Sequence, residues 1–317
     1  LQTINRRYLT HVTHGSHILR AYYSLGQMTT SAPDMFSWKE TEPGKWEREI
    51  DEVEQFYTSL AKAYEGSKRT FFAITGHISF SVAIPNGVSR QETERRIEEA
   101  MRNAWIRLRY DHPTIASRVE YSAEQGKCLK VYRTPSGDDS LRSWLETTFQ
   151  IVCNGLSGTE WCNSDPPVPE LPTLFYLKPP QPDQTRVQAD VVLRCHHDII
   201  DGMGTLHLFD NFFNQASRAY EEQSQYRAPE FGTEWANLSP TFRVAADISP
   251  NLRPKHTALF NEITSYNASL KKDIEIASVP FKLGETVPGR HQRIAITLSE
   301  RETERVMAAC KELGFSV

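Results

Sequence analysis

The sequence predicts an α/β protein, and two strand-to-helix patterns carry that prediction. From Phe72 to Ile84 every second residue is apolar or Gly, which is typical of a strand with one buried face. Ser89–Glu92 then has the capping-box pattern that begins a helix, and apolar residues recur on one side as far as Leu108. The apolar run Ala189–Cys195 likewise leads into a helical pattern. Strands that alternate with amphipathic helices predict a mixed α/β fold.

The same kinds of pattern predict the elements that precede the apolar run Ala189–Cys195. Residues 1–23 and 29–44 are polar and indicate a surface lead-in, after which helical spacing predicts a helix over Ile50–Tyr64. Two short runs separated by a turn, Ser117–Ser122 and Cys128–Arg133, predict a β-hairpin.

Helical spacing from Leu141 to Val152 predicts a further helix, and Asn154–Pro172 predicts a loop. Thr173–Leu177 is an apolar run with the length of a buried strand, and apolar residues from Leu206 to Tyr220 predict the helix that follows the second strand run.

The last third of the chain has weaker patterns. Gln223–Gly289 is polar and contains six prolines, so it predicts a long crossover with no core element. Gln292–Leu298 alternates as a strand would, and Ser299–Glu302 predicts the cap of a helix that ends at Gly314. We expect Ile294, Ile296 and Leu298 of that strand to lack packing partners in this chain.

Charge and composition exclude several functions. The 36 basic and 40 acidic side chains give a net charge of -4 and are spread along the chain, so we expect no nucleic-acid partner. We expect no membrane span, since no apolar run reaches about 18 residues. Five widely spaced cysteines without a Cys-x-x-Cys pair favour a reducing compartment, and we expect a cytoplasmic protein without a bound metal.

One segment has chemical content, His196-His197-Asp198-Ile199-Ile200-Asp201-Gly202. It lies where a buried strand ends and a helix begins, a place at which α/β sheets expose reactive side chains. Imidazole suits a general base because much of it is neutral at pH 7. Asp201 could hold the loop through a charge-assisted hydrogen bond, and Gly202 could permit a backbone conformation that a side chain would block.

Two other interpretations of His196 and His197 remain open, and a second group of histidines has to be considered as well. A His pair at a strand end is commonly a packed polar cap. His197 and Asp201 could be metal ligands, although no third ligand is evident. His11, His14 and His17 also invite a metal site, but they lie in a polar leader and their spacing drifts around a helix.

The segment 196–202 resembles the H-H-x-x-x-D-G signature of the CoA-dependent acyltransferase superfamily, which includes chloramphenicol acetyltransferase and the condensation domains of peptide synthetases. The turn Arg109–Pro113 after a long helix is also similar to that family. Trp235–Pro240 and Leu298–Glu300 resemble its fungal secondary-metabolite branch, in which trichothecene alcohols are acetylated at the 15-hydroxyl.

The resemblance implies a chloramphenicol-acetyltransferase-like two-layer α/β sandwich, with the motif in a channel between two domains. Residues 1–222 would form a complete first domain, 223–289 the crossover linker, and 290–317 the start of a truncated second domain. The family's second motif, D-F-G-W-G, is absent, so the resemblance describes a fragment of an enzyme that is a monomer when whole.

The resemblance also implies the roles of the site residues. His197 would be the general base, and His196 would support the turn and line the channel. Asp201 would be structural and point toward an Arg, while Gly202 would keep the loop tight. The reaction would transfer an acetyl group directly from acetyl-CoA, a co-substrate, to the hydroxyl of a small-molecule alcohol, with no bound cofactor.

Two other functional classes stay in view. A condensation-type domain would take its acyl group from a carrier protein, and a non-catalytic relative would act as a binding or scaffold module. No carrier segment is present in these residues, which favours CoA as the donor.

Overall fold

A computed structural model describes residues 34–64, 70, 72–180, 184–248, 254–270 and 292–315, which include two four-stranded sheets. The predictions for residues 1–23, with His11, His14 and His17, lie outside the described residues.

The larger sheet has the strand order β3-β8-β7-β6. Strand β8 (Arg186–Cys195) lies in the middle and pairs antiparallel with all ten residues of β3 (Ile74–Ala83). On its other side it pairs antiparallel with β7 (Thr173–Leu177), and β7 pairs parallel with β6 (Phe149–Val152). These strands confirm the predictions from alternation and from the two apolar runs.

Two long helices, α2 (Arg90–Asp111) and α5 (Gly202–Glu222), pack against each other and against one face of this sheet. Ser89 Oγ accepts the backbone N–H of Glu92, so the predicted start of α2 is confirmed. The core between sheet and helices contains large buried side chains from both layers: Trp105, Leu108, Leu174, Tyr176, Val191, Leu193, Phe209 and Phe212. Sheet and helices therefore form the predicted two-layer sandwich.

The smaller sheet has the order β1-β2-β5-β4. The predicted hairpin is confirmed as β4 (Arg118–Ser122) and β5 (Lys127–Arg133). Strands β1 (Lys39–Glu42) and β2 (Lys45–Glu49) lie partly where the sequence predicted a surface lead-in. Strand β1 is exposed, as a surface lead-in requires, but the strands were not predicted because their charged sequence lacks apolar alternation, the signal on which a strand prediction depends. Helix α1 (Glu52–Ala63) follows and confirms the predicted helix.

Two boundaries in the middle of the chain differ from the prediction. Helix α3 (Asp138–Thr148) ends before Phe149, and Phe149–Val152 is strand β6, because these aromatic and β-branched residues pair with β7. The predicted loop after it contains the short helix α4 (Gly158–Asn163), marked only by the Ser157–Glu160 capping box. Its 6 residues make fewer than two turns, which is too short to give a periodic pattern.

The predicted crossover is not free of core contacts. Glu234 is fully buried, where it accepts the Tyr132 hydroxyl (2.8 Å) and the Gly232 N–H (2.6 Å). The Ser239 N–H donates to Thr114 Oγ1 at 2.9 Å. The same region contains helices α6 (Phe242–Ala245) and α7 (Pro254–Leu270). A buried Glu with two donors is a tertiary contact that composition cannot indicate, so the expectation that this stretch has no core element was wrong around Glu234.

The predicted strand over Gln292–Leu298 is not present as a strand. The segment has no ladder partner within the described residues, and Ile294 and Ile296 are 83% and 84% exposed. A period-two sequence becomes a strand only when a neighbour supplies its hydrogen bonds. Helix α8 (Glu300–Glu312) begins at Ser299 with a complete capping box, as predicted. The proposed division at 222 and 289 remains a prediction.

Across the described residues, no helix is both long enough and apolar enough to cross a bilayer.

We expect Glu234→Ala to lower the free energy of unfolding by about 1 to 3 kcal/mol, because it leaves the buried Tyr132 hydroxyl without its acceptor. Glu230→Ala, at an exposed position of the same segment, should change it by less than about 0.5 kcal/mol. Urea unfolding of both variants measures the difference, and equal stabilities would show that Glu234 does not anchor the segment.

Candidate active site

The two histidines lie in the turn between β8 and α5. Strand β8 ends at Cys195 and α5 begins at Gly202, so residues 196–201 leave the sheet at its central strand. The His196 carbonyl accepts the Ile199 N–H at 3.3 Å, which closes the turn. The His197 imidazole stacks on the Tyr57 ring of α1, with centroids 4.1 Å apart and planes 5° apart. The predicted base is therefore held by the backbone on one side and by an aromatic ring on the other.

A buried charge network lies beneath this turn, formed by Arg48, Glu54, Lys130 and Asp198; we call it the four-residue network. The Arg48 guanidinium donates twice to Glu54, over 2.6 and 2.8 Å. Lys130 Nζ donates to Glu54 Oε1 at 2.8 Å and to the Asp198 carbonyl at 2.6 Å, and it lies 3.4 Å from Asp198 Oδ2. Two cations and two carboxylates thus offset each other inside the protein.

The smaller sheet explains why Glu54 is needed. Arg48 on β2 and Lys130 on β5 are direct cross-strand partners, and like charges at such positions repel. Helix α1 brings the Glu54 carboxylate into contact with both. Burial by itself raises the pKa of Glu54, but the Arg48 hydrogen bonds and the charges of Lys130 and Arg48 outweigh burial and bring this pKa down to about 2. Glu54 is therefore ionised at neutral pH.

A cavity of about 380 Å³ opens beside the network. His197, Asp198 and Asp201 line it from the turn, and Arg48, Glu54 and Lys130 line it from the smaller sheet and α1. Apolar side chains supply much of the remaining wall: Val53, Tyr57, Ile199, Ile200, Pro240 and Phe242. Its volume and its mixture of apolar walls with a few polar groups are typical of a small-molecule site. His196 is not among its lining residues, so of the predicted pair His197 is the one that meets the cavity.

Asp201 has a different partner from the one expected. It is the N-cap of α5, and its Oδ1 accepts the Gly204 N–H at 2.6 Å. Within the described residues it forms no ion pair with an Arg or Lys, so the expected Arg partner is not found. A carboxylate at a helix N-terminus satisfies an amide that would otherwise lack an acceptor, and that role needs no cation. Asp198, which the sequence did not single out, forms the ion pair instead.

Gly202 does not have the role expected of it either. Its φ lies outside the left-handed region, and a Cβ at this position would meet nothing within 4 Å. The close approach is at Gly204, where a Cβ would lie 2.7 Å from Ile200 Cγ1 and 3.1 Å from Asp201 Oδ1. The prediction chose the wrong glycine because spacing in the motif does not show which backbone position is crowded.

Relatives of this chain are found among fungal acetyltransferases, although no family model matches it. It is 26% identical to the O-acetyltransferase pigM of Monascus ruber over 283 residues, which are 89% of this chain and 50% of pigM. It is 24% identical to the acetyltransferase pigO of the same fungus over 280 residues, which are 88% of this chain and 56% of pigO. The chain thus spans about half the length of the curated relatives that it matches.

Two solved structures share the arrangement of sheets and helices. Trichothecene 15-O-acetyltransferase from Fusarium sporotrichioides matches with a TM-score of 0.55 at 19% identity, over 77% of this chain and 49% of that one. The first condensation domain of the calcium-dependent antibiotic synthetase matches with a TM-score of 0.51 at 13% identity, over 84% and 57%. The chain has the chloramphenicol-acetyltransferase-like fold. This confirms the predicted fold class, and the relatives support the superfamily that the motif suggested. A particular closeness to the trichothecene enzyme is not established.

The low pKa of Glu54 predicts an acid-sensitive contribution to stability. The carboxylate titrates near 4.5 when unperturbed and near 2 in the folded chain, so its contribution is complete above about pH 4.5 and is lost as pH falls toward 2. We expect Glu54→Gln to cost about 3 kcal/mol at pH 7, and the difference from wild type to shrink between about pH 5 and 2.

The control is Glu99→Gln, whose side chain is 60% exposed and pairs with Arg95 on the surface of α2. It should cost less than about 1 kcal/mol. Urea unfolding across this pH range checks both variants, and a Glu54→Gln deficit that stays constant with pH would contradict the assignment.

The two glycines at the start of α5, Gly202 and Gly204, give a matched pair of variants. Gly204→Ala should lower the free energy of unfolding by about 1 to 3 kcal/mol, because the new Cβ collides with Ile200. Gly202→Ala should leave it unchanged or raise it by up to about 1 kcal/mol, because the position is open and helical. Thermal unfolding checks the order, and a larger loss at Gly202 would reverse our interpretation.

Proposed function

We propose that this protein is an O-acyltransferase that moves an acetyl group from acetyl-CoA to a hydroxyl of a secondary metabolite. The observation that carries the proposal is the position of His197, which lines the cavity at the end of the central strand and is stacked on Tyr57. The matches to chains named O-acetyltransferase and acetyltransferase support the same class of reaction.

In the proposed reaction His197 accepts the proton of the acceptor hydroxyl while the hydroxyl oxygen attacks the thioester carbonyl of acetyl-CoA. The tetrahedral intermediate then collapses with cleavage of the C–S bond, and the imidazolium returns its proton to the leaving thiolate. The products are an acetyl ester and CoA, with no covalent enzyme intermediate. General-base help of this kind contributes about 10²- to 10⁴-fold in rate. Alignment of the two substrates supplies a further part.

For the acceptor, we propose a fungal alcohol, with a trichothecene bearing a free 15-hydroxyl as the first compound to test. The resemblance of Trp235–Pro240 and Leu298–Glu300 to the fungal branch supports this choice. The relatives from Monascus ruber carry no trichothecene in their names, so a useful panel includes alcohols of other fungal metabolites. The five free cysteines support the further proposal that the protein works in the cytoplasm, and we also propose that it is a monomer.

A condensation-type function is the second candidate, and the fold shared with a condensation domain is the observation in its favour. In that case the acyl donor would be a thioester on a carrier protein. An assay that offers the full-length protein acetyl-CoA and acetylated carrier protein in parallel separates the two, because only the true donor supports turnover.

In the full-length protein, we expect His197→Ala to lower kcat for acetyl transfer by about 10²- to 10⁴-fold while the unfolding transition stays unchanged. His196→Ala, whose side chain does not line the cavity, should cost less. Steady-state kinetics with acetyl-CoA check both variants. Near-normal turnover of His197→Ala would reject the assigned base, and a larger loss in His196→Ala would transfer the role to that residue.

A further inference from the structure

We infer that Lys130 and Tyr57 are positioning residues for His197, and that the Lys130–Asp198 contact does the work that the family resemblance assigned to Asp201 and an Arg. This inference rests on the proposed function. The Lys130 side chain is only 1% exposed. An ammonium group has three N–H donors, and those of Lys130 face Glu54 Oε1, the Asp198 carbonyl and Asp198 Oδ2.

The contact with the Asp198 carbonyl fixes the backbone next to the base. Asp198 directly follows His197, and Cys195 two residues earlier is the last residue of β8. The main chain around His197 is therefore held by the sheet ladder on one side and by a buried ammonium on the other. Because the Lys130 side chain is only 1% exposed, little solvent competes for this hydrogen bond.

Tyr57 fixes the ring. Its stacking on the imidazole at 4.1 Å and 5° limits the rotation of the His197 side chain. Tyr57 lies three residues after Glu54 on α1, so both project from the same side of that helix. Lys130 binds both Glu54 on α1 and the carbonyl of Asp198 next to His197. It thus connects helix α1, which carries Tyr57, to the backbone that carries the His197 side chain.

Asp201 does not supply this link. Its carboxylate accepts the Gly204 N–H at the start of α5, after the turn that carries the histidines. A general base that is displaced by about 1 Å can lose about 10²-fold in rate. A rigid support under His197 therefore has a direct kinetic consequence.

The test uses Lys130→Met, the double variant Lys130→Met/Asp198→Asn, and the control Lys127→Met in the full-length protein. Lys127 is on the same strand but pairs with Glu49 at the surface, and its side chain is 38% exposed. The single variant leaves the Asp198 carboxylate uncompensated, whereas the double variant restores the charge balance. Stability lost through charge imbalance should return in the double variant, but the bond to the Asp198 carbonyl should not.

We expect Lys130→Met to lower kcat by about 10- to 100-fold with little change in KM for acetyl-CoA. The double variant should recover the melting temperature but not kcat, and Lys127→Met should match wild type. Tyr57→Leu, which removes the ring, should lower kcat more than Tyr57→Phe, which keeps it. Recovery of kcat together with stability in the double variant would overturn the inference, as would a Lys130→Met variant as active as Lys127→Met.

Deuterium exchange of residues 196–205 tests the support without reference to turnover. Exchange should accelerate in Lys130→Met and stay unchanged in Lys127→Met. If wild type transfers no acetyl group to any acceptor, the proposed function fails, and exchange alone decides whether Lys130 holds the turn. Equal exchange in the two variants would then reject the inference as well.

Discussion

The candidate site depends on one buried interaction, the bridging of Arg48 and Lys130 by Glu54. Charges inside a protein lose their hydration, and a buried network is favourable only when each charge has well-placed partners. Here the carboxylate lies between two cations that would otherwise face each other across β2 and β5. Removal of any one member leaves another uncompensated. The network thus joins α1, the smaller sheet and the motif turn to one another.

Further contacts hold helix α1 and the segment around residues 234–243 in place beside the network. Asp51 caps α1 through the amides of Val53 and Glu54, and its other oxygen accepts the Arg243 N–H at 2.8 Å. The helix that supplies Glu54 and Tyr57 is therefore tied at its start to the segment that follows Thr241. Glu234 and Ser239 tie the same segment to the smaller sheet and to Thr114. A stretch of chain that looks like a linker in the sequence accordingly closes one side of the cavity with Pro240 and Phe242.

The fold by itself does not determine the chemistry. An acetyltransferase and a condensation domain share it with this chain at identities of 19% and 13%, so the acyl donor has to be argued from the site. What the site offers is an imidazole on the wall of a cavity with both its backbone and its ring supported. This arrangement and the named activities of the fungal relatives both favour acyl transfer.

The sequence by itself determined much of the local structure. Alternation identified β3, helical spacing and Ser caps identified α2 and α8, and the motif was placed correctly between a buried strand and a helix, because these signals come from neighbouring residues. Only the tertiary structure decided which side chains serve that turn. Lys130 meets Glu54 and Asp198 across 76 and 68 residues, and Arg48 lies in a short strand that is mainly charged, so the local sequence does not show that either cation is buried. The crowding at Gly204 and the open space at Gly202 likewise depend on atoms that approach only after the chain has folded.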